Sequence, residues 1–179
     1  PRLVWIETPS NPLLRITDIA RIADAAHQVG AIVVVDNTFL SPALQQPLLL
    51  GADIVIHSTT KYINGHSDVV GGAVVAKSLE TFEQLKYWAN CLGLTASPFD
   101  SYLTLRGLRT LKARLNLHLA NTAAVVEQLG GHPAVRKTYY PGLASHSGHA
   151  LAASQQSGFG AMLSFELEDT EAVKVFLAN

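Results

Sequence analysis

The chain has a single cysteine, Cys91, so no disulfide can form within it. That suits a reducing cytosol, and a cytoplasmic location is the expectation. Charge is also scarce: 15% of residues are charged and 48% are hydrophobic, which fits a globular chain with a large core and excludes disorder. No basic block is present and the formal net charge is −1, so nothing favours nucleic acid or an anionic membrane as a partner. Apolar runs such as "AIVVV" are strand-length and far below a membrane span. No basic segment followed by an apolar stretch opens the chain, so no signal peptide is expected. No GxGxxG follows a strand and no Walker A sequence occurs, which leaves dinucleotide and nucleoside-triphosphate binding without support. Internal repeats and low-complexity segments are absent too.

What is there reads as alternating strands and helices. "RLVWIE" (Arg2–Glu7) is short, apolar and rich in strand formers, and the prolines of "ETPSNP" end it. Thr17 can cap a helix through "DIARIADAAHQVG", in which Ile19, Ile22, Ala23, Ala26 and Val29 share one face and Gly30 closes the end. "AIVVVD" (Ala31–Asp36) is nearly all β-branched, as expected of a strand buried on both faces in a parallel sheet. A short helical segment in "PALQQPLLLG" leads to the strand "DIVIH", and the alternation implies an α/β layered sheet. Only about a dozen residues without helical pattern separate "DIVIH" from "GGAVVAK" (Gly71–Lys77), too little for an ordinary parallel crossover. That strand is expected to run antiparallel to its neighbour.

"LETFEQLKYWAN" reads as a helix. The segment from Ser97 to Leu129 reads as one long helix, capped by Ser97 with Pro98 and Asp100 in its first turn. Beyond Gly130-Gly131 the pattern changes to short strands and a final helix, the start of a smaller α+β domain. The expected division is residues 1–119 and 120–179. Both ends fall inside apparent elements, so an internal piece of a longer protein is expected.

Ligands of open parallel sheets bind beyond the carboxyl ends of the strands. Asn11, Asp36, Ser58, Thr60 and Lys61 all follow or end such strands, so topology brings them to one edge. Their types fit pyridoxal phosphate. A lysine amine can condense with the aldehyde, a carboxylate can hold the pyridine nitrogen protonated, hydroxyls can bind phosphate, and an asparagine can meet the ring hydroxyl. The plainer readings stand beside this one. A loop lysine is more often a solvated side chain, Asp36 could cap a turn or bind a metal or ribose, and Ser58, Thr59 and Thr60 could be turn residues. His146 and His149 could share a helix face, but no further ligand completes a metal set, and His57 and His66 lack metal-ligand spacing. Cys91 reads as a packed thiol. Arg106 and Arg109 could bind an anion or pair on the surface. Gly107 inside a helix implies a close packing contact, because glycine there costs about 1 kcal/mol relative to alanine.

Four ordered motifs, "ETPSNP", "VVDNTFLSPALQQPLLLGADIVIHSTTKYINGHSDVVGG", "FDSYLTLRGLRTL" and "GFGAMLSFEL", resemble the cysteine/methionine-metabolism family of pyridoxal-phosphate enzymes across essentially the whole chain. The resemblance implies the fold-type-I, aspartate-aminotransferase-like architecture, with part of the large domain followed by the start of the small one. It implies that Lys61 anchors the cofactor and shuttles protons, Asp36 pairs with the pyridine nitrogen, Ser58 and Thr60 bind the phosphate, and Asn11 contacts the ring. It also implies small amino-acid substrates and a homo-oligomer built as a dimer of dimers, with no nucleic-acid or membrane partner. Within the family, "WANCLGLTASPFDSYLTLRGLRTL" and "QQSGFGAMLSFEL" point to a γ-replacement that joins an O-acylhomoserine to cysteine. The alternatives are a sulfhydrylase, a γ-lyase, or a catalytically incomplete piece. The last arises because the family's ring-stacking aromatic, phosphate-binding glycine loop and carboxylate-clamping arginine have no counterparts in this chain.

Overall fold

A computed structural model describes residues 1–178. Strands β1 (Leu3–Glu7), β2 (Ile32–Asp36), β3 (Ile54–Ser58) and β4 (Gly72–Ala76) form one sheet in that order. β1 pairs with β2 and β2 with β3 in parallel, while β3 and β4 are antiparallel, as the helix-free connection between them requires.

Helix α1 (Ile19–His27) crosses from β1 to β2. It buries Ile19, Ala23 and Ala26 against Ile6, Val33, Val35 and Val55, with Ile22 partly covered, and these residues form the main core. The cap is Asp18, whose Oδ1 accepts from the Arg21 amide at 3.0 Å, not the expected Thr17. The Thr17 amide donates to Thr8 Oγ1 at 3.0 Å, tying the residue before the cap to the loop after β1. Val29 departs from the expected apolar face and is 63% exposed, because the helix stops at His27 and the chain turns through Gly30 at φ 68°.

Register fixes the two faces of the sheet. Ile6 and Val35 are paired and both meet α1, so Glu7, Asp36 and Ile56, the next in-register set, lie on the opposite face. Ser58, two residues beyond Ile56, shares that face. Leu3 and Trp5 lie on it too, and they are 50% and 57% exposed.

After β2, α2 (Ser41–Leu44) and a 3₁₀ turn at Pro47–Leu50 lead into β3. After β4, Ser78 caps α3 (Leu79–Leu92) by accepting from the Thr81 amide at 3.1 Å. None of α3 is buried, so Cys91 is an exposed thiol and not the packed one expected. The main contact of this helix with the sheet is along β4, and Phe82, Tyr87, Trp88 and Leu92 on it are exposed.

The expected single long helix is two, α4 (Pro98–Arg109) and α5 (Leu111–Gly130), broken at Thr110. Ser97 caps α4 as expected, accepting from the Asp100 amide at 3.1 Å. The break has a local cause. The Gly107 carbonyl accepts from the Thr110 amide at 3.1 Å, the Thr110 hydroxyl at 3.1 Å and Arg114 Nη2 at 2.7 Å, so it does not continue the α-helical pattern. α5 then packs Leu111 and Leu115 on Leu40 and Leu44. β5 (Val135–Tyr139) and β6 (Ser164–Leu167) form a separate antiparallel pair, with α6 (His149–Gln155) between them in sequence. α7 (Thr170–Ala178) is the expected final helix, and Asn179 lies outside the described residues. Among the described residues no helix is long and apolar enough to cross a membrane.

Candidate active site

The parallel order β1-β2-β3 brings the carboxyl ends of three strands to one sheet edge. Asp36 ends β2 and Ser58 ends β3; Asn11 follows β1, and Thr60 and Lys61 lie in the turns directly after Ser58. Asp36 is half-buried, and its Oδ1 accepts from the Thr38 amide at 2.9 Å. The Thr38 hydroxyl accepts from the Ser58 amide at 2.8 Å. Thr38 therefore ties the ends of β2 and β3 together and orients Asp36, a role the sequence reading missed.

Three groups are left with no hydrogen-bond partner among the described residues: Asp36 Oδ2, the Ser58 hydroxyl and the Lys61 amine. Asp36 and Ser58 lie on the face opposite α1. The Thr60 hydroxyl is engaged differently, accepting from the Gly71 amide at 3.1 Å and donating to the Gly71 carbonyl at 3.4 Å, which closes the loop between β3 and β4. Asn11 is exposed, with its amide donating to Glu7 Oε1 at 3.2 Å and its side chain uncommitted.

His57 was set aside in the sequence as lacking metal-ligand spacing, yet it is 7% exposed and its Nδ1 is buried with no partner. Burial holds its pKa below the usual value of 6.5, against the opposing pull of the Asp36 carboxylate and of a hydrogen bond to the Asn37 backbone. The folded ring is thus neutral where the unfolded one has begun to take up a proton. The unfolded state binds more protons below about pH 6.5, so stability falls as pH drops through that value and is flat above it. We predict that His57→Phe makes stability less dependent on pH between 5 and 8. Urea midpoints measured across that range check this, and equal slopes for the two proteins would contradict it.

The turn that carries Lys61 is held by backbone bonds from the Asn64 amide to the Thr59 carbonyl and from the Gly65 amide to the Lys61 carbonyl, each 2.8 Å. Helix α4 lies directly on it. A Cβ at Gly107 would overlap the Asn64 carbonyl oxygen, the close approach expected for this glycine. Arg106 and Arg109 are exposed, with side chains that make no ion pair or hydrogen bond among the described residues. The arginine the sequence reading passed over, Arg114, contacts this turn instead. His149 is structural: Nδ1 bonds the Pro141 carbonyl at 2.8 Å and the ring stacks on Phe159. His146 Nδ1 accepts from the Gly148 amide at 3.0 Å. Among the described residues no group of His, Cys, Asp and Glu is arranged to hold a metal.

Comparison with known proteins bears on this geometry. Cystathionine gamma-synthase of Escherichia coli (strain K12) is 58% identical over 180 residues, covering 100% of this chain and 47% of that protein. Cystathionine gamma-lyase of Bacillus subtilis (strain 168) is 49% identical, covering 99% of this chain and 47% of that one. The crystal structure of cystathionine gamma synthase from Xanthomonas oryzae pv. oryzae in complex with cystathionine is 68% identical and superposes with a TM-score of 0.97 over 99% of this chain and 46% of that one. The α/β fold therefore matches those structures over part of their length, and the chain spans just under half the length of these relatives. The model of the Cys/Met metabolism PLP-dependent enzyme family matches residues 1–179, and this chain belongs to that family.

Proposed function

We propose that this chain carries the cofactor-anchoring part of a cystathionine γ-synthase, which joins O-succinylhomoserine to L-cysteine and releases succinate. The carrying observation is the convergence of Asp36, Ser58 and Lys61 at one sheet edge with their polar groups uncommitted. That donor set fits pyridoxal phosphate: an amine for the aldehyde, a carboxylate for the ring nitrogen and a hydroxyl for the phosphate. When bound, the cofactor supplies an electron sink for charge that develops beside the substrate's amino carbon. Identity of 58% and 68% to named synthases, against 49% to a γ-lyase, favours the synthase over the lyase.

Each residue then has a defined task. Lys61 Nζ would hold the cofactor at its aldehyde carbon, and its amine would carry protons between the substrate Cα and Cβ. The Asp36 carboxylate, held by the Thr38 amide, keeps its free Oδ2 for a positively charged ring nitrogen. Ser58 would donate its hydroxyl to the phosphate, and Thr60, still accepting from the Gly71 amide, would turn its proton from the Gly71 carbonyl at 3.4 Å to a phosphate oxygen. Asn11 meets the ring. The succinate carboxylate leaves Cγ with its bonding electrons, and the cysteine sulfur, having given up its thiol proton to solvent, forms the new bond at that carbon. The same proposal takes residues 1–119 as large domain and 120–179 as the beginning of the small one, supported by the separate β5–β6 sheet. A cytoplasmic dimer of dimers belongs to it too, supported by the exposed apolar surface of Phe82, Trp88, Phe99 and Tyr102.

The test supplies O-succinylhomoserine and cysteine to the full-length protein containing this chain. Cystathionine and succinate are expected; 2-oxobutanoate formed from added cystathionine would favour the γ-lyase instead. Residues 1–179 alone are expected to be inactive, because positioning groups are missing. Asp36→Asn keeps the shape but loses the charge facing the ring nitrogen. It is expected to lower kcat by about a hundredfold while capture of the cofactor at Lys61 persists. Unchanged kcat would remove Asp36 from the mechanism.

A further inference from the structure

Arg114 stands in the first turn of α5, yet its guanidinium is spent on another segment. Nη1 donates to the Tyr62 carbonyl at 2.8 Å, and Nη2 donates to the Gly107 carbonyl at 2.7 Å and the Ile63 carbonyl at 3.4 Å. Nε donates to the Thr110 hydroxyl at 3.1 Å, which fixes the plane of the fork. It makes no ion pair among the described residues. A cation is thus held by backbone carbonyls, and two of them belong to the residues immediately after Lys61.

The surroundings are shaped for this contact. Gly65 has φ 73°, and a Cβ there would overlap the Arg114 guanidinium. A Cβ at Gly107 would overlap the Asn64 carbonyl oxygen. The two glycines let the turn, the end of α4 and the guanidinium come together. Ile63 and Asn64 are buried at the junction, while Lys61 stays exposed at its rim. The carbonyls of Tyr62 and Ile63, the two residues after Lys61, both accept from a side chain 53 positions beyond that lysine in the chain.

We propose that Arg114 is a positioning residue for Lys61: its fork clamps the carbonyls of Tyr62 and Ile63 to the α4–α5 junction and so fixes where the lysine amine stands. This rests on the reading of Lys61 as the cofactor anchor. Lysine cannot replace arginine here, because a single ammonium cannot span carbonyls on two segments in one plane. Arg114→Lys therefore keeps the charge and removes the clamp. Gly107→Ala attacks the same junction from the helix side, pressing a Cβ on the Asn64 carbonyl while the arginine side chain itself is unchanged.

Two measurements on the full-length protein test the clamp. One is amide hydrogen exchange at Asn64 and Gly65. The other is the rate of pyridoxal phosphate capture at Lys61, trapped by borohydride and located by peptide mass. In Arg114→Lys the two amides are expected to exchange at least about tenfold faster, and Lys61 to be labelled about tenfold more slowly, with exchange in β1 to β3 unchanged. Gly107→Ala is expected to move both readouts the same way. Faster exchange with undiminished labelling would make Arg114 merely structural and overturn the proposal, as would wild-type values in both. No label on Lys61 in the wild-type protein would instead sink the cofactor reading, and with it any positioning role. The exchange data would still report whether the clamp holds the turn.

Discussion

Lys61→Ala is expected to abolish site-specific capture of pyridoxal phosphate and to lower turnover of the full-length enzyme by about ten-thousandfold or more. In the proposed mechanism Lys61 is both covalent anchor and proton carrier, so the substitution removes two functions together, and general acid–base catalysis alone is worth about a hundred- to ten-thousandfold. The chain has six lysines, so surface labelling will persist in the variant. The informative quantity is the visible absorbance band at one cofactor per site, together with the labelled peptide. Lys61 is singled out by its place: it lies three residues past Ser58, in the turn after β3, which is pinned by backbone bonds at 2.8 Å. The remaining lysines, Lys77, Lys86, Lys112, Lys137 and Lys174, do not follow the carboxyl end of a parallel strand. A variant that kept the band at full occupancy would remove Lys61 from the anchoring role.

Gln45→Leu is expected to cost about 3 kcal/mol and to lower the melting midpoint by about 6–12 °C. Thr8, Asn37 and Gln45 are each 2% exposed or less, and Gln45 satisfies the other two. Its Nε2 donates to the Thr8 carbonyl at 3.1 Å and to Asn37 Oδ1 at 3.0 Å, while its Oε1 accepts from Gln155 Nε2 at 3.3 Å. Gln155 in turn donates to the Thr17 carbonyl at 3.1 Å, and its Oε1 accepts from the Ile19 amide at the start of α1 at 3.5 Å. Leucine would leave the Thr8 and Asn37 oxygens buried without donors, at roughly 1–3 kcal/mol each. Because Thr8 begins the loop that carries Asn11, the edge beside the candidate site should loosen as well. The exposed neighbour supplies the control: Gln46→Leu is expected to stay within about 0.5 kcal/mol. Thermal melts of the two variants side by side decide the matter, and equal midpoints would refute the network's role.

The strand edge was legible because its signals are local. The β-branched run of β2 and the apolar run of β3 declare parallel neighbours, and their ends then carry Asp36 and Ser58 to one place. The reversal at β4 was legible from a missing helix. What escaped the sequence depends on distant partners. The break at Thr110 arises because Gly107 and Arg114 are claimed by the turn after Lys61, and Arg114 and Tyr62 are 52 residues apart. His57 is buried by tertiary packing that no pattern in "DIVIH" announces. Cys91 reads as core because it sits beside Leu92, but a side chain is packed only where a neighbour arrives, and α3 meets little beyond β4. Gly107 is the instructive middle case. Its helix penalty signalled a contact, while the contacting segment became visible only in three dimensions.

That exposed sulfur has a practical consequence. Being the only thiol in the chain, Cys91 accepts one maleimide dye without further mutagenesis. The dye would sit on a helix that also displays Phe82 and Trp88 to solvent. Its emission would therefore act as a gauge of coverage, shifting blue when another surface settles over that helix and staying constant if none does.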